Sequence, residues 1–189
     1  YLNPLSEISR ETFFSTQKWN FPIEVKSNIA KMLPVKDFIV FAPSAAWKMK
    51  RWPIEHWKKL ILLTTKNIII LGGPEDLFCQ ELADLAPQRV FNFAGKVSIL
   101  ESCYILSCAE RLVSADTGLL HVADLLKISA VALIGPTAFG FPTGSHITIL
   151  EEKLSCRPCT KDGRGNCSHN TYQYCMKAIL LTTVQAYLG

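Results

Sequence analysis

Three short stretches hold the residues best suited to chemistry in this sequence. The first reads Pro43-Ser44-Ala45-Ala46-Trp47-Lys48-Met49-Lys50-Arg51-Trp52-Pro53, small residues followed by three cations and a proline of the kind that opens a helix. Small side chains such as Ser44 let a ligand approach the backbone. A helix N-terminus with Lys50 and Arg51 beside it favours an anion, because free amides and cations act together. A surface loop whose Trp rings cover the sheet end and whose cations are solvated would have the same composition. The second stretch, Gly72-Gly73-Pro74-Glu75-Asp76, places the Glu75 carboxylate one position into an expected helix. There it can accept a hydrogen bond from a ribose hydroxyl or simply stabilise the helix dipole. The third, Ser114-Ala115-Asp116-Thr117-Gly118-Leu119-Leu120-His121, turns from strand to helix with Asp116 or Thr117 as cap. The amides of Thr117, Gly118 and Leu119 can grip a phosphate, with no side chain at Gly118 to obstruct it. His121 lies one turn in and can donate a further hydrogen bond. A lone His near a helix start is usually structural, but this one shares a rim with two other polar loops.

The cysteines form a separate group. Cys79, Cys103 and Cys108 fall in segments that read as helices, and seven is an odd number, which argues against a secreted disulfide framework. Cys156, Cys159, Cys167 and Cys175 cluster in one loop, expected to lie away from the three polar stretches. Four thiolates there can hold a structural zinc or iron, with His169 able to replace one; free thiols are the alternative. Nothing beside them reads as an activating base, so a catalytic role is not expected.

The elements that must position these loops follow from the apolar pattern. Short apolar runs at 38–42, 67–71, 89–93, 111–114 and 130–134 read as strands, and their continuous apolarity fits strands covered on both faces. Helices are expected at 54–66, 75–86, 98–107 and 119–127, where Pro53 and Pro74 suit a first turn and Ser98 with Glu101 makes a capping box. A short helix at 23–33 leads in, 146–150 adds a strand, and 176–188 closes the chain as a helix. Strict alternation of strand and helix gives an α/β fold, a doubly wound parallel sheet with right-handed crossovers. In such sheets ligands bind at the carboxyl ends of the strands, where all three polar loops fall.

Composition narrows the function classes. With 189 residues, 49% apolar and 19% charged, the chain suits one well-buried core. A net charge of +4 fits an anionic ligand such as a diphosphate and is too weak to imply nucleic acid. No apolar run reaches the roughly 18 residues of a membrane span and no signal peptide is evident, so the reading is cytoplasmic with at most peripheral membrane contact. Tyr1 and the irregular stretch through Asn20 suggest a piece of a longer protein, with 1–36 as linker and lead-in helix and 37–189 as the binding domain.

Over about 37–189 the sequence resembles glycosyltransferase family 9, the heptosyltransferases of lipopolysaccharide core assembly. Pro43, Ala45, Trp47, Lys50, Arg51, Trp52 and Pro53 follow that family's first block in spacing, with Ser44 in place of a glycine. Gly72-Gly73-Pro74-Glu75, Asn92-Phe93-Ala94-Gly95-Lys96, Ser114 to His121 and Gly135-Pro136-Thr137 match its later blocks in order. Ala115 stands where asparagine is common, and Asp124 and Leu126 interrupt a usually alanine-rich helix. The resemblance implies the Rossmann-like C-terminal half of a bacterial two-domain GT-B enzyme, the half that binds the nucleotide sugar. It implies an ADP-sugar donor, ADP-heptose above all, and a lipopolysaccharide core acceptor reached through the other domain, which would also supply the general base. Lys50 would meet the donor diphosphate and stabilise the leaving group, Glu75 the ribose, and Asp116, Thr117, Gly118 and His121 the phosphates or sugar, with Ser44 in the same loop as Lys50. Transfer would invert the anomeric centre and require no cofactor, a cation and helix amides serving instead of a metal. Two other readings fit these residues: a related transferase with another nucleotide-sugar donor, and a non-catalytic module whose Cys-rich loop binds metal and a partner.

Overall fold

The computed structural model describes residues 19–137 and 140–188; the expected linker up to residue 18 lies outside them. Each expected strand forms, with its ends shifted by at most one residue: β1 (Ile39–Ala42), β2 (Ile68–Ile70), β3 (Val90–Asn92), β4 (Leu112–Ala115), β5 (Ala130–Ile134) and β6 (Ile147–Glu151). All pairs are parallel, in the order β3-β2-β1-β4-β5-β6. Every residue of β1, β2, β4 and β5 is buried, as continuous apolar runs require. The twofold alternation of a strand splits each run between two cores. Ile39 and Phe41 enter one, Val40 and Ala42 the other.

Helices close both faces. Against Ile39 and Phe41 lie α2 (Ile54–Leu63) through Trp57, Leu60 and Ile61, and α3 (Phe78–Asp84) through Cys79 and Leu82. The same core takes Met176 of α6 (Tyr174–Lys177) and Val184 of α7 (Leu181–Ala186). The opposite core takes Ile29 of α1 (Ile23–Met32), Ile105 and Leu106 of α4 (Ile99–Ser107), and Leu120 and Ala123 of α5 (Gly118–Leu126). This is the expected doubly wound sheet. Chain direction across it reverses between β1 and β4, and that reversal opens a crevice at the strands' carboxyl ends.

Local signals hold where they are short-range. Ser98 caps α4 in a complete box: its side chain accepts from the Glu101 amide at 3.2 Å, and Glu101 accepts from the Ser98 amide at 2.8 Å. Two helix expectations are corrected, one by a local turn and one by a tertiary contact. The helix expected from 75 begins only at Phe78, because Asp76 folds back to accept from the Gly73 amide at 2.8 Å and holds the chain in a turn. The single closing helix expected over 176–188 is two helices. At the break, the buried Trp52 indole donates to the Ile179 carbonyl at 3.2 Å and Leu180 is extended.

Candidate nucleotide site

Beyond β1 the chain makes one 3-10 turn, Lys48–Lys50, anchored by buried Met49 and Trp52. The turn delivers the Lys50 ammonium to the Asp116 carboxylate, Nζ to Oδ2 2.9 Å, with both side chains largely buried. Asp116 Oδ2 also accepts from Thr137 Oγ1 at 3.2 Å, so the cation, the acid after β4 and the hydroxyl after β5 form one network.

The loop after β2 is organised around Asp76, which is only 7% exposed. Its Oδ1 accepts from Ser44 Oγ at 2.5 Å and faces Arg51 Nη2 at 3.4 Å, while its Oδ2 accepts from the Gly73 amide. Arg51 also donates from Nε to the Ala45 carbonyl at 2.8 Å and lies over the Phe78 ring. The first two polar loops are therefore tied together. Glu75 is left exposed on the rim, in a turn rather than in the helix the sequence suggested. Behind this loop Gly95, at φ +69°, donates its amide to the Gly72 carbonyl at 3.1 Å, and a Cβ there would stand 2.6 Å from Pro74 Cα. Only glycine serves at such a contact, which is what the Asn92 to Lys96 block contributes.

In the third loop Thr117 is the N-cap of α5, yet its hydroxyl pairs with Ser114 Oγ at 2.9 Å instead of closing on the helix amides. No side chain among the described residues caps that helix. A Cβ at Gly118 would meet nothing within 4 Å, so the helix start faces open space.

Ser44, Lys50, Glu75, Asp116, Thr117, Gly118 and His121 all line one cavity of about 720 Å³, within the usual size of ligand sites. Sequence reasoning placed Arg51 with Lys50 beside an anion site but assigned no site role to Asp76, Thr137 or the α4 residues Ser102 and Cys103, although all but Thr137 line the cavity. Asp76 adjoins Glu75 in the same acidic pair, and Thr137 follows a strand end, so both carried a signal. The α4 residues carried none, since nothing local shows which helix face will meet a distant loop. Burial pushes the Cys103 thiol up, and pushes that of Cys79 up to about 12 with help from the adjacent Asp76 carboxylate.

The Cys-rich loop is not remote from the polar loops, as the sequence reading had it. Gln173 donates its side-chain amide to the Lys48 carbonyl and to that of Arg51, the latter at 3.3 Å, and Arg164 lies 5.1 Å over the Trp47 ring. All seven cysteines are free thiols. Cys175 is buried, which raises its pKa, and the nearby Cys159 and Cys167 thiols add to that. Even so, the described residues contain no group of three or more His, Cys, Asp or Glu placed to hold a metal, so Cys156, Cys159, Cys167 and Cys175 do not form the ligand set expected. Their surroundings use the loop otherwise: Cys167 Sγ accepts from the Gln173 amide at 3.4 Å. His169 accepts from the Thr171 amide at 2.9 Å and stacks on Tyr174.

A doubly wound parallel sheet whose order reverses between β1 and β4, with a crevice at the strands' carboxyl ends, defines an α/β domain of the Rossmann-like class. The family model for glycosyltransferase family 9 (heptosyltransferase) matches residues 10–169, and the chain belongs to that family. It is similar to lipooligosaccharide heptosyltransferase 2 of Haemophilus influenzae, 28% identical over 147 residues that cover 70% of this chain and 42% of that protein. Among solved structures it is similar to ADP-heptose lps heptosyltransferase II of E. coli, with a TM-score of 0.72, 21% identity and coverage of 90% of this chain and 52% of that one. It is also similar to the dodecameric iron-containing heptosyltransferase TibC in complex with ADP-D-beta-D-heptose, at a TM-score of 0.58, 14% identity and coverage of 82% and 44%. The chain thus spans about half the length of the relatives it matches. No helix among the described residues is long and apolar enough to cross a membrane.

Proposed function

We propose that residues 37–189, entered through the segment 1–36, form the donor-binding domain of a heptosyltransferase that takes heptose from ADP-heptose and passes it to a lipopolysaccharide core acceptor on the cytoplasmic side of the membrane. The observation that carries this reading is the meeting of Lys50 and the uncapped start of α5 in one cavity with Glu75 on its rim. Lys50 and the amides of Thr117, Gly118 and Leu119 bind the diphosphate, and Glu75 accepts from the ribose. A carboxylate cannot donate to phosphate, so Asp116 orients Lys50 and accepts from sugar hydroxyls, while His121 donates to phosphate or sugar.

In transfer, an acceptor hydroxyl forms its bond to the anomeric carbon as the bond from that carbon to the diphosphate oxygen breaks. The electron pair leaves with ADP, whose growing charge Lys50 and the helix amides stabilise. The hydroxyl proton goes to a base that the resemblance assigns to the opposing domain. The neighbour TibC contains iron by name, but no step in this chain's reading depends on its cysteines or on a structural zinc or iron.

Titration calorimetry of the chain with ADP tests the reading. The unaltered protein binds, and Asp116→Ala and His121→Ala bind more weakly. Absence of ADP binding at millimolar concentration would remove the ADP-sugar donor, and efficient sugar transfer by this chain alone would overturn its assignment as a donor-binding part.

A further inference from the structure

We infer that the Cys-rich loop is the positioning element for Lys50, with Gly163 and Gln173 as its working residues; the inference rests on the reading of Lys50 as the diphosphate-binding cation. Gly163 lies directly against the lysine stem. A Cβ built on it would stand 2.6 Å from Lys50 Cδ, 2.8 Å from Cγ and 3.1 Å from Trp47 Cβ, and its φ of +98° is one that side-chain-bearing residues rarely adopt. The backbone of the loop thus forms one wall of the channel through which Lys50 reaches Asp116. The wall is itself held: the Gly163 amide donates to Thr160 Oγ1 at 3.0 Å, and Thr160 forms a parallel bridge with Thr137. Thr137 in turn donates to Asp116, so one loop supports the lysine stem and the partner of its ammonium.

Gln173 fixes the other side. Its side-chain amide donates to the carbonyls of Lys48 and Arg51, which flank Lys50 in the chain. Gln173 does so from a left-handed conformation, φ 58°, which costs a residue with a side chain energy and persists only where surrounding contacts enforce it. One of those contacts is its own amide on Cys167 Sγ, and the next turn carries buried Cys175. The thiols therefore belong to the framework that holds Gln173 in place, and Lys50 is set from more than a hundred residues downstream in the chain.

The two residues are positioning residues: neither contacts the diphosphate in this reading. Their loss should weaken recognition of the diphosphate and leave recognition of the nucleoside alone. Calorimetry with ADP and with adenosine, on the same chain, separates these. Gly163→Ala and Gln173→Ala are expected to lower ADP affinity by about tenfold, the low end for a charge-assisted contact, and to leave adenosine affinity unchanged. Because Gly163→Ala also strains the backbone, the double variant with Lys50→Ala decides the cause: with the stem gone, Gly163→Ala should cost no further ADP affinity. If Gly163→Ala does not fold, Gln173→Ala, which alters no special backbone conformation of glycine, carries the same comparison. Unchanged ADP affinity in both single variants, equal losses for ADP and adenosine, or losses that add in full to that of Lys50→Ala would each overturn the inference. An unaltered chain that binds no ADP, or a Lys50→Ala chain that binds it normally, would instead refute the donor reading on which the inference rests.

Discussion

Replacing Asp76 with asparagine should destabilise the protein through charge alone, since the shape is kept. In the native arrangement three donors converge on the carboxylate: Ser44 Oγ and Arg51 Nη2 on Oδ1, and the Gly73 amide on Oδ2. Asparagine keeps one acceptor oxygen. With its NH2 at the Oδ2 position, a donor would face the Gly73 amide, so the cheaper choice puts the NH2 at Oδ1, where the Ser44 hydroxyl can rotate to accept. The Arg51 contact is then lost, and the Gly73 bond becomes a neutral one. Hydrogen bonds to a charged group contribute about 1.5–3 kcal/mol. Arg51 is 30% exposed, which places its share at the low end, and a total near 2 kcal/mol follows. For a domain of this length that corresponds to a fall in Tm of roughly 4–8 °C. Thermal unfolding at pH 7 followed by circular dichroism measures it. A Tm within 1 °C of the unaltered protein would show that the convergence of donors on Asp76 does not depend on its charge.

Three further outcomes are expected. Ser98→Ala removes the hydroxyl that caps α4 and bonds to Glu101, whose carboxyl the Ser98 amide and hydroxyl hold below its ordinary value; the amide contact remains, and the loss should cost about 1 kcal/mol in denaturant unfolding, so an unchanged midpoint would deny the cap any role in stability. Burial, and then Lys59, hold the His56 pKa below 6.5, so the stability its neutral ring provides is present above pH 6.5 and lost as pH falls through the depressed value. The drop in Tm between pH 7 and pH 5 should therefore shrink in His56→Gln, and an undiminished drop would place the titration elsewhere. In the native protein at pH 8 a maleimide should label exposed Cys108 and spare buried Cys79, whose pKa near 12 leaves little thiolate; peptide mass spectrometry reads both sites, and equal labelling would contradict the burial.

What could be read from the sequence depended on the range of the interaction responsible. The strands were legible because an apolar run buried on both faces is a local pattern, and the capping box because Ser98 and Glu101 are three residues apart. Ser44, Lys50, Glu75 and the stretch from Asp116 to His121 were legible for a similar reason, since a parallel sheet brings the loops after β1, β2 and β4 to one edge whatever their sequence separation. The role of Asp76 could not be read locally, because its partners Ser44 and Arg51 precede it by 32 and 25 positions. The break at Ile179 depends on an indole 127 residues away, and the docking of Gln173 on the Lys48 carbonyl spans 125. No propensity encodes such contacts, and the one at Ile179 ends a helix that local rules would have continued.

The pairing of Lys50 with Asp116 bears on how the proposed donor site can be ready before its ligand arrives. A lone lysine at the mouth of a cavity samples many rotamers, and ordering it on binding would oppose affinity by up to about 2 kcal/mol. Here the stem passes along Gly163 and the ammonium rests on a carboxylate that Thr137 also holds, so most of that ordering occurs when the chain folds. The pair does not close the site. An ammonium has three N–H donors, and one bond to Asp116 leaves two for diphosphate oxygens. Asp116 itself would repel a phosphate if its charge were free, but Lys50 at 2.9 Å offsets that charge while its second oxygen is left for sugar hydroxyls. An acid among phosphate-binding groups is thus consistent with a diphosphate site, provided that a cation stands between them and is kept there by the loop that follows β6.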